Sequence, residues 1–571
     1  MAQAPAVTDR DLASVQEARR LAQRAKQAAP RLAELSQEQI DRIVDAMAAA
    51  VRPQAEALAR LAVEETGFGV VEDKVQKNLF AAERVYEFIR PMRTVGVVGR
   101  DEVKKIVEIA EPFGVVAAVV PSTNPTSTAI YKILISLKAR CPIVISPHPS
   151  AAKCITRVAE IMNAAAAQAG APEGSINWMQ AVSLEGTQEL MKHRDVAVIL
   201  ATGGMGLVRA AYSAGKPAYG VGPGNAPCFI ERTADIAKAA NDILTGKSID
   251  NGVLCSSPNS VVVDSAIADE TRREFTRQGG YFLSDAQAAA LAAVLVTPQR
   301  LPNPKFVGKS APHIARELGF TVPAGTRALI AELKGVGRDF PLSIEKLCPV
   351  LSYYVVADWR EGCERCIQIL RYGGMGHTMS IHSRNEPVIL EFGLKKPAFR
   401  IVVNTPTTHG SIGLTTGLDP SMTLGCGGWG GNITSDNISP RHLLNIKRLA
   451  WELRPSSTGR ATQPAQTAAS SHAPSAPAAP ALPKAPAPPA PLGLDAADMS
   501  RQLASFAGAA PAASTGPAPD SKIVDFVCEE DVRQAIRLNR KILIGERTIV
   551  TPSARDLANA HRIFVTETWP R

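Results

Sequence analysis

Apolar residues follow two alternating patterns between residues 11 and 452. Short apolar runs, among them VVAAVVP, CPIVISP, VAVILATGG and APCFIE, predict buried strands. The segments between them place apolar residues every three or four positions, as helices do. Two such helices, at 11–28 and 36–65, open the chain, and Ser36 and Glu38 suit the start of the second. This alternation indicates an α/β fold with a parallel sheet, which binds ligands at the carboxyl ends of its strands.

Residues 94–114, TVGVVGRDEVKKIVEIAEPFG, depart from this alternation. Two apolar stretches flank a Gly-Arg-Asp turn, which predicts a β-hairpin. The hairpin lies between the N-terminal helices and the first buried strand.

The composition changes after Glu452. Residues 454–491 consist mostly of Ala, Pro, Ser and Thr, which predicts an extended linker. Residues 492–508 then carry a stripe with helical spacing, formed by Leu492, Ala496, Met499, Leu503 and Phe506. A second linker, 509–521, leads to residues 522–571, where KIVDFV, KILIGERTIV and RIFVTET predict strands around two short helices.

Charge and cysteine content exclude several classes of protein. The net charge is +9, but basic and acidic residues are interleaved, so we expect no nucleic acid and favour a phosphate-bearing cofactor. No apolar run is long enough to span a bilayer and the N-terminus lacks a signal peptide pattern, so we expect a cytoplasmic protein that binds no membrane. The nine cysteines suit free thiols. Cys363 and Cys366 form one CxxC without a second pair, so we expect no metal.

Two segments are candidates for chemistry. Thr202, Gly203 and Gly204 lie between a predicted strand and a predicted helix, where backbone amides bind anions. A tight turn explains these glycines equally well, and the full dinucleotide fingerprint is absent. Cys255, in SIDNGVLCSSPNS, is either a nucleophile or one more small buried side chain.

Several motifs together narrow these choices. The chain contains, in this order, EPFGVVAAVVPSTNPTSTAIYK, PIVISPHPSA, VILATGGMGLVRAAYSAGKPAYGVGPGNAP, SIDNGVLCSSPNSVVVD, EKLCPVLSYY, GGMGHTMSIHS and SMTLGCGGWGGNITSDNISPRHLLNIK. In this combination, residues 11–452 closely resemble the coenzyme A-acylating aldehyde dehydrogenases.

The resemblance implies the aldehyde dehydrogenase fold. A Rossmann-like nucleotide-binding domain is expected at 1–238 and a catalytic α/β domain at 239–430. The hairpin, at about 94–110, and residues 431–453 would form a small oligomerisation element, so a homo-oligomer is expected. Residues 522–571 have no role that the resemblance explains.

The resemblance also assigns roles to residues. Cys255 matches the nucleophile, and Asn124 matches the side-chain donor to the oxyanion beside the backbone amide of Cys255. His377 matches a histidine suspected of acid/base work, although it could cap backbone groups instead. Glu345 matches the glutamate that holds the nicotinamide ribose, although a salt-bridged surface acid would fit its sequence too. The cofactor-binding set is Glu345, Thr202, Gly203, Gly204, Ser146, Pro147 and Gly224.

The stretch AYGVGPGNAP bears on which nucleophile releases the acyl group. Hydrolytic relatives have a glutamate there that activates water, and this chain has no carboxylate. We therefore expect coenzyme A, whose thiol is a good nucleophile, to accept the acyl group from the cysteine. The expected reaction converts a small aldehyde, propionaldehyde or acetaldehyde, to its acyl-CoA with NAD. Because Ser146-Pro147-His148 lacks the lysine of hydrolytic relatives, NADP stays open.

The tail has an interpretation of its own. A proline-rich tether followed by a short amphipathic helix resembles the encapsulation peptides of bacterial microcompartment cargo, so 492–506 is expected to bind shell or cargo proteins. The alternative is a helix that folds back on its own enzyme. Two other hypotheses are another substrate, such as sulfoacetaldehyde or an acyl phosphate, and an inactive scaffold or cargo protein with a dehydrogenase fold.

Overall fold

A computed structural model describes residues 9–454, 524–538 and 540–566. The chain divides into two compact units, 1–459 and 460–571. The predicted linkers, apart from Arg454, and the amphipathic segment 492–508 lie outside the described residues. Within the described ranges, we find no helix with the length and apolar character needed to cross a bilayer.

Helices form the N-terminal layer of the first unit. They are α1 (Arg10–Ala33), α2 (Gln37–Val51), α3 (Ala55–Thr66), α4 (Val71–Leu79) and α5 (Tyr86–Ile89). Ser36 caps α2 as predicted, because its hydroxyl accepts from the amide of Gln39. The helix predicted over 36–65 is interrupted by a 3₁₀ turn at Arg52–Gln54, since Pro53 has no amide hydrogen to continue the helical bonding. A π-helical segment, Phe80–Val85, joins α4 to α5.

A parallel five-stranded sheet follows. Its elements are β3 (Val115–Val120), α6 (Pro125–Lys138), β4 (Ile143–Pro147), α7 (Ala152–Gln168), β5 (Ile176–Trp178), α8 (Leu184–Lys192), β6 (Val196–Thr202), α9 (Met205–Tyr212) and β7 (Ala218–Val221). The strand order is β5-β4-β3-β6-β7. The chain therefore proceeds in one direction from β3 and returns to add β6 on its other side. The carboxyl ends of β3 and β6 form the switch point where open α/β sheets bind ligands.

Lys132, on α6, connects the two strands of this switch point by hydrogen bonds. Its side chain is fully buried and donates to the carbonyl oxygens of Val119, at 2.7 Å, and Leu200, at 2.9 Å. Burial lowers the pKa of Lys132 to about 7. Because these carbonyls belong to β3 and β6, the lysine ties the two strands together close to their carboxyl ends.

A second sheet contains seven parallel strands. Its elements are β8 (Ala226–Ile230), α10 (Ile236–Ser248), β9 (Pro258–Asp264), α11 (Ala268–Arg277), β10 (Gly280–Phe282), α12 (Asp285–Leu295), α13 (Ala311–Glu317), β11 (Ala328–Glu332), β12 (Val350–Val356), α14 (Trp359–Tyr372), β13 (Gly376–His382), α15 (Glu386–Lys395), β14 (Ala398–Val403) and α16 (Thr407–Ser411). The strand order is β10-β11-β12-β9-β8-β13-β14. The α/β fold expected from the sequence is thus confirmed, with two parallel sheets in the first unit.

The predicted hairpin forms part of a third sheet, but the predicted turn at Gly99-Arg100-Asp101 is wrong, because these residues pair within the first strand and the turn lies at 102–105. Strands β1 (Gly96–Asp101) and β2 (Ile106–Pro112) pair antiparallel, and β15 (Leu444–Ala450) pairs antiparallel with β2. Since the strand order is β1-β2-β15, β15 is an edge strand. The hairpin and the last described segment of the first unit therefore belong to one structural element.

The second unit forms the three strands and two helices predicted for the end of the chain. They are β16 (Val524–Val527), α17 (Glu529–Arg537), β17 (Ile542–Val550), α18 (Pro552–His561) and β18 (Phe564–Thr566). The strands are parallel, with β17 between the other two. The buried side chains Val527, Val532, Ala535, Ala554, Ala558 and Ile563 form its core.

Candidate active site

A cavity of about 500 Å³ lies at the carboxyl edge of the five-stranded sheet. The segments that follow β3, β4, β6 and β7 line it, as the topology of the sheet requires. The predicted cofactor residues Ser146, Pro147, Thr202, Gly203 and Gly204 all belong to its wall. The cavity also reaches Asn124, Cys255 and Glu345, so it joins most of the residues selected from the sequence.

The wall of this cavity suits a dinucleotide. Gly204 caps the N-terminus of α9, and a Cβ built on it would meet no atom within 4 Å, so backbone amides are accessible there. The Thr202 hydroxyl is buried and has no hydrogen-bond partner among the described residues, which leaves a polar atom for a ligand. Apolar side chains, including Val182, Leu184 and Leu207, supply a surface for a planar base. The residues present fit a nicotinamide cofactor.

The second sheet contributes its opposite end to the site. Gly224, Cys255, Glu345 and His377 precede or begin β8, β9, β12 and β13, which are four neighbouring strands. The expectation that ligand residues lie at carboxyl ends therefore holds for the first sheet and is wrong for the second. The carboxyl ends of one sheet and the amino ends of the other meet at one cavity.

Cys255 is half-buried, whereas seven of the other eight cysteines are buried and Cys528 lies in the second unit. Burial raises the pKa of the Cys255 thiol to about 12, and the nearby Glu345 carboxylate adds to this increase, while Arg400 opposes it. Arg400 itself is buried and donates to backbone carbonyls, including that of Ser435. The thiol is thus accessible from the cavity and protonated at neutral pH until a base accepts its proton.

Glu345 and Gly224 are in direct contact. The backbone amide of Gly224 donates to Oε1 of Glu345 at 2.8 Å. Burial nevertheless raises the pKa of Glu345 to about 8. With this pKa the Glu345 carboxyl is mostly protonated at pH 7, so it is not a base there. The sequence predicted Glu345 as a cofactor ligand and gave no sign of its proximity to the cysteine.

Gly224 also touches the cysteine itself. A Cβ built on Gly224 would lie 2.1 Å from the backbone oxygen of Cys255 and 3.2 Å from Cγ of His377. No side chain fits in this space, because a backbone carbonyl cannot move aside as a side-chain end can. Glycine at this position lets the segments that carry Cys255, Glu345 and His377 approach each other.

His377 is buried and does not line the cavity. Its Nδ1 lies 2.9 Å from the hydroxyl of Thr378, and its Nε2 has no hydrogen-bond partner among the described residues. Burial lowers the pKa of His377 to about 3, so the ring is neutral. Its position against Gly224 brings it close to Cys255, and its acid/base role stays a prediction.

Asn124 is held by a residue that the sequence gave no reason to select. Lys77, on α4, donates to the side-chain oxygen of Asn124 at 2.6 Å. Lys77 and Lys74 both contact the buried carboxylate of Asp250, five residues before Cys255. Asp250 and Asn251 have left-handed backbone conformations, with φ of 49° and 52°. The segment before the cysteine is thus anchored to α4 by ionic contacts.

Two further cavities adjoin these residues. A small one of about 30 Å³ is bordered by Lys77, by Leu254, the residue before Cys255, and by Thr408, His409 and Ile412. A larger one of about 550 Å³ shares Glu345 with the cofactor cavity.

Comparison with known proteins agrees with this geometry. Residues 3–279 match the Aldehyde dehydrogenase family. The bifunctional aldehyde-alcohol dehydrogenase AdhE of Escherichia coli (strain K12) is 44% identical over 456 residues, covering 78% of this chain and 51% of AdhE. The chain spans about half the length of such curated relatives.

Solved structures extend the similarity over whole chains. An acetylating aldehyde dehydrogenase from Geobacillus thermoglucosidasius is 49% identical, with a TM-score of 0.77 over 79% of this chain and 99% of that one. The propionaldehyde dehydrogenase of Rhodopseudomonas palustris, solved with bound CoA and an acylated cysteine, is 27% identical, with a TM-score of 0.68 over 76% of this chain and 96% of that one. The chain belongs to the aldehyde dehydrogenase family, among its acylating members.

Proposed function

We propose that this protein oxidises a short aliphatic aldehyde to its acyl-CoA, with NAD as the oxidant and Cys255 as the nucleophile. The observation that carries the proposal is the cavity that brings Cys255, Asn124 and Glu345 to the glycine-rich carboxyl end of β6. This arrangement supports a reaction between a thiol, a carbonyl and a dinucleotide. The acetylating and CoA-bound relatives support the same reaction class.

The chain's own groups would act in two stages. In the first, the Cys255 sulfur adds to the aldehyde carbon, while the Asn124 side-chain amide and the Cys255 backbone amide donate to the oxygen that becomes negative. A nicotinamide cofactor held along Thr202, Gly203 and Gly204 would supply the acceptor for the hydride of the former aldehyde carbon. The thiol proton is assigned to His377, the group that the resemblance proposes for acid/base work, because Glu345, with a pKa of about 8, is mostly protonated at pH 7.

In the second stage, the acyl group leaves Cys255. The thiol of coenzyme A attacks the thioester, its proton passes to the protein, and the cysteine sulfur departs. His377 is the proposed acid/base group, because its ring is neutral and its Nε2 is free of other partners among the described residues. Glu345 is the only carboxylate among the residues that line the cavity, and it accepts a backbone amide there. A dedicated base for water is therefore missing from this wall, which favours the thiol.

The relatives support a short substrate. An acetylating aldehyde dehydrogenase and a propionaldehyde dehydrogenase are among the solved structures similar to this chain. Acetaldehyde or propionaldehyde is therefore the proposed substrate.

We also propose that the protein is a homo-oligomer that associates through β15. This edge strand leaves backbone groups available for pairing. Leu449 on β15, and Trp451 and Leu453 after it, are 51%, 55% and 56% exposed, although all three are large and apolar. A second copy that covers this edge would remove them from water.

The tail supports an additional proposal, that the enzyme is cargo of a bacterial microcompartment. The apolar stripe of 492–506 is the sequence feature behind it. An amphipathic segment on a long proline-rich tether suits docking into a groove of a shell protein. Confinement would retain a volatile and reactive aldehyde.

The reaction should need both coenzyme A and Cys255. With NAD and propionaldehyde, we expect sustained NADH absorbance only when coenzyme A is present, and Cys255→Ala should lower the rate by at least ~10⁴-fold because no thioester forms. Cys528→Ala, at a part-exposed cysteine of the second unit, should be fully active. Turnover without coenzyme A would identify a hydrolytic enzyme, and no NADH with any short aldehyde would favour the scaffold hypothesis.

Glu345→Gln should change thiol reactivity only above pH 8. Below its pKa of about 8 the carboxyl is protonated, and glutamine imitates it; above that pH its negative charge raises the pKa of Cys255. Alkylation of Cys255 by iodoacetamide, followed by peptide mass spectrometry, should be equal in both proteins at pH 7 and about 3- to 10-fold faster in the variant at pH 9. Glu332→Gln, at an exposed carboxylate, is the control. If Glu345→Gln were alkylated more slowly than the wild type at pH 9, this would contradict an electrostatic repulsion between the Glu345 carboxylate and the Cys255 thiolate.

Charges on the β15 edge should reduce the size of the assembly. Trp451→Glu combined with Leu453→Glu would place two carboxylates in the proposed contact, so light scattering after size exclusion should detect a smaller species with unchanged circular dichroism. The control is Leu301→Glu, which alters a residue that is 60% exposed elsewhere. An unchanged mass for the double variant would exclude β15 from the interface.

The tail should determine whether the enzyme associates with microcompartment shells, without affecting the rate of aldehyde oxidation. Leu503→Glu combined with Phe506→Glu interrupts the apolar stripe, so the enzyme should no longer cofractionate with shells while its kcat stays the same. Ser505→Glu, on the opposite side of the predicted helix, should leave cofractionation intact. If the double variant remained with the shells, the docking proposal would be wrong.

A further inference from the structure

Helix α4 contacts the start of α6 through one face. Lys74 and Lys77 are three residues apart and therefore point to the same side of α4. Lys74 donates to the backbone oxygen of Thr123 at 3.1 Å, and Lys77 donates to the Asn124 side chain at 2.6 Å. The segment that carries the proposed oxyanion donor is thus held by two ammonium groups.

The contact with Lys77 determines which way the Asn124 amide points. An ammonium group can only donate, so the side-chain oxygen faces Lys77 and the nitrogen faces away from it. The nitrogen then lies 3.2 Å from the hydroxyl of Thr123 and 3.4 Å from the backbone oxygen of Val253, two residues before the cysteine. Both contacts are long, so the N–H groups stay available to a stronger acceptor.

The surroundings keep Lys77 in place and mostly charged. Its side chain is 5% exposed, and its Nζ contacts Oδ2 of Asp250, which also accepts from Lys74 at 2.9 Å. Oδ1 of Asp250 accepts from the amide of Val70 at 2.8 Å, and Asp73 accepts from the amide of Asp250 at 2.6 Å. Burial lowers the pKa of Lys77 to about 8 while the Asp250 carboxylate opposes this decrease, so the ammonium form dominates at pH 7.

We propose that Lys77 is a positioning residue of the reaction, one that fixes and polarises the Asn124 amide so that its nitrogen donates to the oxyanion formed at Cys255. The inference rests on the proposed function, because it assumes that Asn124 is that donor. A cation on the amide oxygen withdraws electron density from the nitrogen and strengthens its N–H as a donor. Lys77 acts through Asn124, so its effect should vanish when Asn124 is absent.

The test compares four variants: Lys77→Met, Asn124→Ala, the two combined, and Lys74→Met. Lys74→Met is the control for lost structural support, because it removes the other ammonium from Asp250 and the bond to the Thr123 backbone but keeps the bond between Lys77 and Asn124. Two rates are measured: steady-state turnover, and acylation of Cys255 by acetyl-CoA followed by intact-protein mass spectrometry. In the second reaction the Cys255 sulfur bonds to the acyl carbon, the carbon to CoA sulfur bond breaks, and CoA leaves with the proton, without any nicotinamide.

Lys77→Met should lower both rates by about 10- to 100-fold, less than the 10²- to 10³-fold loss typical of removing an oxyanion donor, because the Asn124 amide itself remains. The KM for the aldehyde should change by less than ~3-fold, since a donor to the transition state is lost. In the Asn124→Ala background, Lys77→Met should cost less than a further ~2-fold. Lys74→Met should keep acylation within ~3-fold of the wild type, although both lysine variants should melt at a lower temperature.

Some outcomes would contradict only the role of Lys77, and others would contradict the proposed function as well. Additive losses in the double variant, or an equal loss in Lys74→Met, would make Lys77 a purely structural residue. A wild type that neither accepts an acyl group from acetyl-CoA nor makes NADH would overturn the proposed function and this inference together. If Lys77→Met does not fold, Lys77→Gln replaces it. That variant keeps an N–H donor but loses the positive charge. If it were acylated as fast as the wild type, the proposal that the charge of Lys77 polarises the Asn124 amide would be wrong.

Discussion

The buried carboxylate of Asp250 is the constraint on which the geometry of this site depends. It is fully buried, and two lysines of α4 and a backbone amide satisfy its oxygens. A buried charge without partners would cost several kcal/mol, so these groups are held together as a set. The segment leading to Cys255, the helix α4 and the Asn124 side chain are fixed relative to one another by this set. Covalent continuity alone would not align them, since α4 and Asp250 are far apart in sequence.

A second constraint is the way two parallel sheets face each other. The five-stranded sheet offers backbone amides and small residues at its carboxyl ends, where a dinucleotide fits. The seven-stranded sheet offers side chains at its amino ends, from the segments before β8, β9 and β12 and the start of β13. The seven-stranded sheet therefore supplies the candidate nucleophile, and the five-stranded sheet supplies the binding surface and Asn124, which follows β3. Glu345 belongs to both, because it lines the cofactor cavity and lies near the cysteine.

The sequence predicted the parts of this site whose signal is local. Strand-to-helix glycines predicted a ligand site where the structure has a cavity, and the two apolar stretches predicted the hairpin, although the position of its turn was wrong. The proposed nucleophile and its proposed donor amide came from motif resemblance, since a cysteine or asparagine has no periodicity of its own. Lys77 was missed because its partners are distant in sequence, and a lysine on a helix is usually exposed. The sequence places Cys255 just before the strand-like run SVVVD, but no local pattern specifies which end of a strand faces a neighbouring sheet, so the site at the amino ends was not predicted.

Gly224 limits how this protein can evolve. Its backbone lies so close to the Cys255 carbonyl that even a methyl group would collide with it. Any missense change of its codon adds a side chain, so no neutral intermediate leads away from glycine at this site. A lineage that came to favour water over coenzyme A would have to place its new base elsewhere. Among the active members of a saturation mutagenesis library, only glycine should therefore be found at position 224, although it contributes no side chain to the chemistry.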